Sequence, residues 1–287
     1  MAKLYNVGSF DNPVYLIGEK GNWTLIEGGI SAQYLMVKNR LSAIVDNVND
    51  IKHWIILHTH YDHCGLLGYL YPNLPEVQVY AGEKSCINLS KDKSIQVIES
   101  LNSNVITLKD NKKELEGLKT IALKEIPIRT LKANEKIKCA ADLIFNVIPT
   151  PGHSDCSIAL FEEYSGRLFA SDALGEYFSP KEWFPLAFSS ISDYLNSIDL
   201  LKSTEPKTIA LGHSECLSGI IAKEAFHYST ESTHRIIEDV QQNLKKLEKE
   251  AVVQLLHQKY AYNSQEFVPE NLHYLSMKRL VDFITNY

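Results

Sequence analysis

Short apolar runs separated by turn residues dominate the first half of the chain. The runs at residues 14–17 and 23–26 predict two strands around a turn. Residues 32–45 carry apolar positions at helical spacing and predict a helix. The run at 54–57 is apolar throughout, which is typical of a strand buried on both faces. Further strands are predicted at 77–80, 143–148, 157–161, 167–170 and 208–211, and further helices at 83–90 and 190–201.

The pattern becomes mostly helical after residue 220. Helices are predicted at 222–228, 233–255 and 277–285, and Pro269 separates the last two. Residues 109–132 are rich in Lys and Glu and weakly periodic, so we interpret them as a surface insertion. The sequence thus predicts a β-rich core over residues 1–219 and a C-terminal helical cap over residues 220–287.

Composition excludes several classes of function. The formal net charge is −6, so no overall basic field attracts nucleic acid. No apolar run approaches the roughly 20 residues that span a bilayer, and the N-terminus lacks the apolar core of a signal peptide. The five cysteines are scattered without a CxxC pair, a pattern that fits reduced thiols. We therefore expect a cytoplasmic protein that binds neither nucleic acid nor a membrane.

Three histidines and an aspartate lie within six residues, directly after the apolar run 54–57. Residues two apart on an extended strand point to the same side, so His58 and His60 can bind one ion together. If the chain then turns into a helix, Asp62 and His63 face a second position nearby. Imidazole and carboxylate suit Zn²⁺, Fe²⁺ or Mn²⁺, and paired ions activate water for hydrolysis. The motif therefore predicts two divalent ions, iron or zinc, with manganese as a further candidate.

Three later segments each place one further candidate ligand at the end of a predicted strand. These residues are His153, Asp172 and His213. Any one such residue at a strand end is more often part of an ordinary turn. The combined order HxHxDH, H, D, H, however, resembles that of the metallo-β-lactamase superfamily. The resemblance implies an αββα four-layer sandwich with a two-metal site at one edge. It also implies a division of the ligands between the ions: His58, His60 and His153 on the first, Asp62, His63 and His213 on the second, and Asp172 as the bridge.

A narrower resemblance rests on the segments 24–31, 60–67, 152–155, 172–176 and 267–277. These are similar to the PqsE branch of the superfamily, the 2-aminobenzoylacetyl-coenzyme A thioesterases and response proteins of alkylquinolone quorum signalling. The likeness is weakest at about 102–134. The chain departs from the branch at Ser171, where the branch has Gly, and after His213. These departures concern acyl specificity more than hydrolysis, because the metal set is intact.

The resemblance also implies residues around the substrate. Asp62 orients the attacking water as well as binding metal, Glu176 faces the pocket, and His273 and Ser276 cap it. The alternative for Glu176 is a solvated loop carboxylate. The alternative for His273 and Ser276 is a surface histidine and a serine at a helix start. Five rings are candidates for the wall of an acyl pocket: Tyr61, Phe178, Trp183, Phe184 and Phe188. We reject Cys64 as a nucleophile, because a metal-bound hydroxide already supplies the nucleophile. In addition, no histidine outside the ligand set is adjacent to Cys64 to act as its base.

These observations predict a metal-dependent hydrolase of an acyl thioester, with an aromatic β-ketoacyl-coenzyme A as the first choice and a regulatory role in quorum signalling as an additional expectation. One alternative is a lactonase or other ester hydrolase. A second is a flavodiiron-like protein that handles O₂ or NO, although such proteins usually have a carboxylate where His60 stands. A third is a non-catalytic regulatory binding protein. A homodimer and a regulatory protein partner stay open.

Overall fold

The computed structural model describes residues 2–109, 111–214, 216–260 and 268–287. Six strands form a first sheet in the order of the sequence. Its first three strands are antiparallel and the others run parallel to the third. They are β1 (Lys3–Asn6), β2 (Tyr15–Glu19), β3 (Asn22–Ile26), β4 (Ile51–Ile56), β5 (Gln78–Gly82) and β6 (Ile128–Leu131).

A second sheet of six strands has the order β14-β13-β10-β9-β8-β7. Its strands are β7 (Lys136–Lys138), β8 (Ile144–Pro149), β9 (Ile158–Glu162), β10 (Arg167–Ser171), β13 (Thr208–Leu211) and β14 (Cys216–Ser218). A separate hairpin pairs β11 (Glu176–Ser179) with β12 (Glu182–Phe184). The parallel pair β10–β13 ends at the edge where the candidate ligands Asp172 and His213 follow.

Helices connect these strands and cover both sheets. The first group is α1 (Tyr34–Ile44), α2 (Tyr61–Cys64), α3 (Leu67–Leu70), α4 (Glu83–Ser90), α5 (Asp92–Leu108) and α6 (Lys112–Leu115). The second group is α7 (Ile191–Lys202), α8 (Gly219–Leu244), α9 (Lys249–Tyr260) and α10 (Glu270–Thr285). Among the described residues, no helix has the length and apolar character needed to cross a membrane.

The side chains of successive strand residues alternate between two apolar layers. On β4 and just after it, Ile55 and Leu57 face the second sheet, where they meet Phe169 of β10. Trp54 and Ile56 point the other way, into a layer shared with the first helices. A third apolar layer joins the opposite face of the second sheet to the last four helices. The protein is therefore a helix–sheet–sheet–helix sandwich with C-terminal helices, as the sequence predicts.

The prediction of a surface insertion at 109–132 is wrong in part. This stretch contains α6 and then β6, which forms the edge of the first sheet by pairing in parallel with β5. Leu123 and Ile126, which lie between α6 and β6 in the chain, are buried in the apolar layer shared with the first helices. An edge strand obtains its hydrogen bonds from one neighbour and leaves polar side chains in solvent, so its sequence lacks a continuous apolar run.

The predicted break between helices at 228–233 is also wrong, because α8 runs without interruption from Gly219 to Leu244. Serine and threonine near the predicted break are weak helix formers, yet here their hydroxyls donate hydrogen bonds to carbonyls while the backbone stays helical. The Ser229 hydroxyl donates to the Leu174 carbonyl at 2.6 Å, and Thr233 donates back to the Ser229 carbonyl. Since α8–α10 share one apolar layer with the second sheet, the division into core and cap at 219/220 stays a prediction.

Candidate metal centre

The first ligand group is placed by the end of β4 and the short helix after it. His58 and His60 lie in extended chain, and His60 has φ −69° and ψ 151° where α2 begins. Asp62 and His63 lie within α2 and are buried. This helix is held against the end of β3, because the Gly28 amide donates to the His63 carbonyl at 2.9 Å. Strand end and helix thus present two ligand sets from one loop.

His153 reaches this loop from the second sheet. Its Nε2 lies 2.8 Å from His60 Nδ1 and 3.2 Å from His58 Nε2. Gly152 makes this approach possible: its φ is +120°, and a Cβ there would lie 2.2 Å from the Tyr194 nitrogen. The three imidazoles therefore converge on one point, and these are the residues that the resemblance assigns to the first ion.

A second group forms beside the first. His63 Nε2 lies 3.2 Å from His213 Nε2, and the carboxylate of Asp62 is 3.6 Å from each of these nitrogens. Asp172 lies between the groups: its Oδ2 is 3.1 Å from His153 Nε2 and 3.5 Å from His213 Nε2. Within each of two groups the ligand atoms lie within 4.8 Å of one another: one group is His58, His60, His153 and Asp172, and the other is Asp62, His63 and His213.

These donors fit divalent metal ions. Ring nitrogens 2.8–3.2 Å apart point at each other and need a proton or a cation between them. Among the described residues, Asp172 Oδ1 is buried and has no hydrogen-bond partner, which is costly for a carboxylate without a cation. Imidazole and carboxylate are the ligands that zinc and ferrous iron accept. The set of residues present thus suits the two-metal site, while the identity of the metals stays a prediction.

Four of the five imidazoles are oriented through their outer nitrogen. In metal sites such contacts fix the tautomer and the ring plane. The contacts of the Nδ1 atoms are His58 with Ser171 Oγ at 3.2 Å, His63 with Glu27 Oε2 at 3.2 Å, His153 with the Leu186 carbonyl at 2.7 Å, and His213 with the Asp11 carbonyl at 2.8 Å.

Ser171, the departure noted in the sequence, contributes one of these contacts. Its φ is +49°, in the left-handed region that favours glycine, and the pairing of β10 with β13 shifts register between Phe169 and Ser171. The serine hydroxyl at 3.2 Å from His58 Nδ1 is a contact that glycine could not provide. Serine at position 171 therefore helps to orient the ligand His58.

Glu27 was not predicted as part of the site. Its side chain is 1% exposed, follows β3 with φ +73°, and lies beside His63. Since β3 and β4 are parallel neighbours, the residues after each strand meet at one edge of the sheet. That strand pairing was the available signal, but the sequence alone does not say which way the Glu27 side chain points.

The two groups of ligands differ in the pKa values of their histidines. Burial acts to lower the pKa of His63, but Asp172, Glu27 and Asp62 together raise it well above its usual value. Burial likewise opposes the charge on His213, whose pKa Asp172 nevertheless raises to about 9. Burial lowers the pKa of both His58 and His60 well below the usual range. Because the Nε2 atoms of His63 and His213 face each other at 3.2 Å, the pair holds a shared proton at neutral pH, and a metal that binds there must displace it.

We expect zinc binding to release protons and to strengthen with pH. His213 holds its proton below a pKa of about 9, so zinc affinity should rise as pH is raised from about 6.5 to about 8.5, by about tenfold per pH unit for each proton displaced. Calorimetry in buffers of different ionisation enthalpy measures the protons released. His213→Gln should release about one proton fewer, and a pH-independent affinity of the unmodified protein would contradict the prediction.

A cavity of about 980 Å³ opens onto the ligands. Asp62, Glu176, His273 and Ser276, the predicted catalytic residues, all line it. Three of the five candidate rings line it as well: Tyr61, Phe184 and Phe188. The other two were wrongly predicted, because Trp183 packs against Tyr177 in the core and Phe178 stacks on Tyr260.

The last helix closes one side of this cavity. Within the C-terminal motif 267–277, residue 267 lies outside the described residues. His273 of α10 is 9% exposed, and its Nδ1 lies 2.8 Å from His257 Nδ1 on α9. Burial and then the neighbouring His257 lower the pKa of His273. His273 is therefore uncharged at neutral pH and is suited to hydrogen bonding rather than to carrying a proton.

The environment of Cys64 agrees with its rejection as a nucleophile. The thiol is fully buried and donates to the His60 carbonyl at 3.2 Å. Burial, and then Asp62, raise its pKa well above that of a free cysteine. The nucleophilic thiolate is thus suppressed at neutral pH.

A model of the metallo-β-lactamase superfamily matches residues 7–213, which include all seven predicted ligands. The chain is 27% identical over 212 residues to YobT, an uncharacterised protein of Bacillus subtilis (strain 168); the match covers 71% of this chain and 83% of YobT.

Two solved structures share the fold. A metallo-β-lactamase family protein from Thermus thermophilus superposes with a TM-score of 0.65 at 18% identity, over 96% of this chain and 91% of that one. The flavodiiron protein from Giardia intestinalis gives a TM-score of 0.58 at 14% identity, over 80% of this chain and 57% of that one. At these identities the likeness concerns the fold alone.

Proposed function

We propose, because this chain belongs to the metallo-β-lactamase superfamily, that it is a two-metal hydrolase of acyl thioesters. The observation that carries the proposal is the position of the His/Asp cluster, which lies at the base of a cavity of about 980 Å³ with α10 along one side. A cavity of this size accommodates an acyl group together with part of its thiol carrier.

Two divalent ions bound to the cluster would lower the pKa of water and polarise the scissile carbonyl. His58, His60 and His153 would hold one ion, and Asp62, His63 and His213 the other, with Asp172 between them. Asp62 also lines the cavity, and we propose that its carboxylate accepts a hydrogen bond from the attacking water and orients it. Glu27 and Ser171 keep two of the imidazoles in position.

The acyl group would lie against α10 and two further rings of the cavity wall. Phe184 and Phe188 give this wall its aromatic character, which suits an aromatic β-ketoacyl group. His273 and Ser276 lie three residues apart on one face of α10 and line the cavity. We propose that they hydrogen-bond the acyl oxygens, and that Glu176, which also lines the cavity, positions the amino or keto end.

A thioester suits this cavity because its leaving group is a thiolate. A thiol has a pKa of about 8.5, so it departs with little protonation, whereas an amine requires a proton donor. His273, the cavity histidine of α10, is uncharged at neutral pH because burial lowers its pKa. The chain therefore offers hydrogen bonds to the substrate rather than a strong acid, and amidase activity should be weak.

The proposal is tested by comparing three substrates with metal-loaded protein: acetoacetyl-coenzyme A, an N-acyl homoserine lactone and a β-lactam. We expect kcat/KM for the thioester to exceed the other two by about 100-fold or more, a difference in transition-state stabilisation of about 2.7 kcal/mol. Equal or faster turnover of the lactone would favour the lactonase alternative, and equal turnover of the β-lactam would contradict a preference for thioesters.

Two variants separate metal from thiol chemistry. His58→Ala should lose thioester hydrolysis together with metal, since His58 belongs to the first ligand group. Cys64→Ala should keep it, because the buried thiol only donates to the His60 carbonyl. The reverse result, hydrolysis lost in Cys64→Ala and kept in His58→Ala, would replace the proposed mechanism with a cysteine nucleophile. A regulatory partner, and a role in quorum signalling, remain predictions of the resemblance alone.

A further inference from the structure

Arg279 is a cavity residue that neither the ligand set nor the resemblance assigns. It lies on α10 three residues after Ser276 and four before Phe283, and all three line the cavity. Spacings of three and four put these side chains on one face of the helix. Arg279 therefore extends the substrate-facing side of α10.

Two contacts hold the Arg279 side chain. Its Nε donates to the Phe188 carbonyl at 2.5 Å, and its guanidinium carbon lies 5.8 Å from the centre of the Phe283 ring. Phe188 in turn packs its ring 5.6 Å from that of His153. These contacts orient the guanidinium, whose residue is solvent-exposed, at the cavity wall near the metal ligands.

The charge of Arg279 is not neutralised by the carboxylates around it. Asp282, one turn along α10, pairs with Lys249. Asp155, which also lines the cavity, accepts from the Ser189 hydroxyl. No carboxylate of the described residues lies within ion-pair distance of Arg279. An oriented guanidinium without a carboxylate partner in a cavity is well suited to bind an anion through two parallel hydrogen bonds.

From this arrangement we infer that Arg279 binds an anionic group of the substrate, a phosphate or a carboxylate, and thereby selects charged thioesters. The inference rests on the proposed function, since it takes the cavity to hold a thioester. The anion has two sources: the phosphates of coenzyme A on the thiol side, or a carboxylate on the acyl side. Both present the planar or tetrahedral oxygens that the guanidinium fork recognises.

The test compares unmodified protein, Arg279→Gln and Arg279→Lys on three thioesters. These are acetoacetyl-coenzyme A, acetoacetyl-N-acetylcysteamine, which has no charge, and succinyl-N-acetylcysteamine, which is charged on the acyl side. Arg279→Gln should raise KM for a charged thioester by about 10- to 100-fold while KM for the uncharged one stays unchanged. Arg279→Lys should lie between, because it keeps the charge and loses the fork. Whichever charged thioester is affected identifies the source.

Lys223→Gln removes the same charge from the exposed surface of α8 and serves as the matched control. An equal loss on all three thioesters in Arg279→Gln would mean that Arg279 only supports the Phe188 segment. That result, or no change on any thioester, overturns the inference.

Failure of the proposed function gives a different result. If the unmodified, metal-loaded protein hydrolyses no thioester, the thioesterase proposal fails, and calorimetric binding of coenzyme A and of succinate decides the inference by itself. Binding by the unmodified protein that weakens about tenfold or more in Arg279→Gln supports the anion site. Equal binding by both proteins, or no binding of either probe, overturns it.

Discussion

Asp172→Asn is expected to abolish most of the metal content and the hydrolytic activity. The Oδ2 atom of Asp172 lies 3.1–3.6 Å from the Nε2 atoms of four imidazoles, those of His58, His63, His153 and His213. Asparagine keeps the shape of the side chain but has no charge to bridge two cations. Since metal ions supply several kcal/mol of transition-state stabilisation, kcat/KM should fall on the order of 10³-fold or more.

The measurement combines elemental analysis with the thioester assay. Protein purified without chelators should carry about two ions per chain, and the variant about one or fewer. Asp282→Asn is the matched control, because Asp282 lines the same cavity but pairs with Lys249 outside the cluster. If Asp172→Asn folds poorly, His60→Gln tests the same point from a half-buried position. Two tightly bound ions and unchanged turnover in both variants would exclude this ligand assignment.

The sandwich could be predicted because its layers leave separate marks on the sequence. The fully apolar run around Trp54–Ile56 indicates a strand covered on both faces, and the structure places it between two apolar layers. The candidate ligands were marked by the order of the HxHxDH motif and three later residues at strand ends, which resembles the metallo-β-lactamase superfamily. Because the two sheets pack face to face, His58 after β4 of the first sheet lies 3.2 Å from His153 after β8 of the second, 95 positions later.

Contacts that depend on the packing of whole elements could not be predicted. His257 reaches His273 because α9 and α10 pack together, and Arg279 of α10 reaches the Phe188 carbonyl in the segment between β12 and α7. Neither spacing nor composition encodes how two helices meet. The continuous α8 was missed because serine and threonine are weak helix formers, whereas Ser229 finds its partner, the Leu174 carbonyl, only in the folded protein.

Gly212 shows how closely the backbone must approach the ligands. In the sequence, a glycine before a histidine after a strand is an ordinary turn. In the structure, the Gly212 amide donates to the Ser171 carbonyl at 2.9 Å, which places its α-carbon against the cluster. A Cβ at this position would lie 2.1 Å from Asp172 Oδ1 and 2.9 Å from His63 Cε1. Glycine is required at this position because the side chains of two ligands already occupy the space that a methyl group would need.

Gly212→Ala is therefore expected to displace Asp172 and His63 while leaving the sandwich folded. A displacement of about 1 Å in a catalytic group costs about 10²-fold in rate, and the overpacking itself costs about 1–3 kcal/mol of stability. Gly21→Ala is the control, because its φ of +84° makes a side chain unfavourable, yet a Cβ there meets nothing within 4 Å. That variant should lower the melting temperature without changing metal content. Both variants are compared by thermal unfolding, elemental analysis and thioester turnover. If Gly212→Ala lost stability as Gly21→Ala does but kept its metal and its kcat/KM, the close approach to Asp172 would have no role in holding the site together.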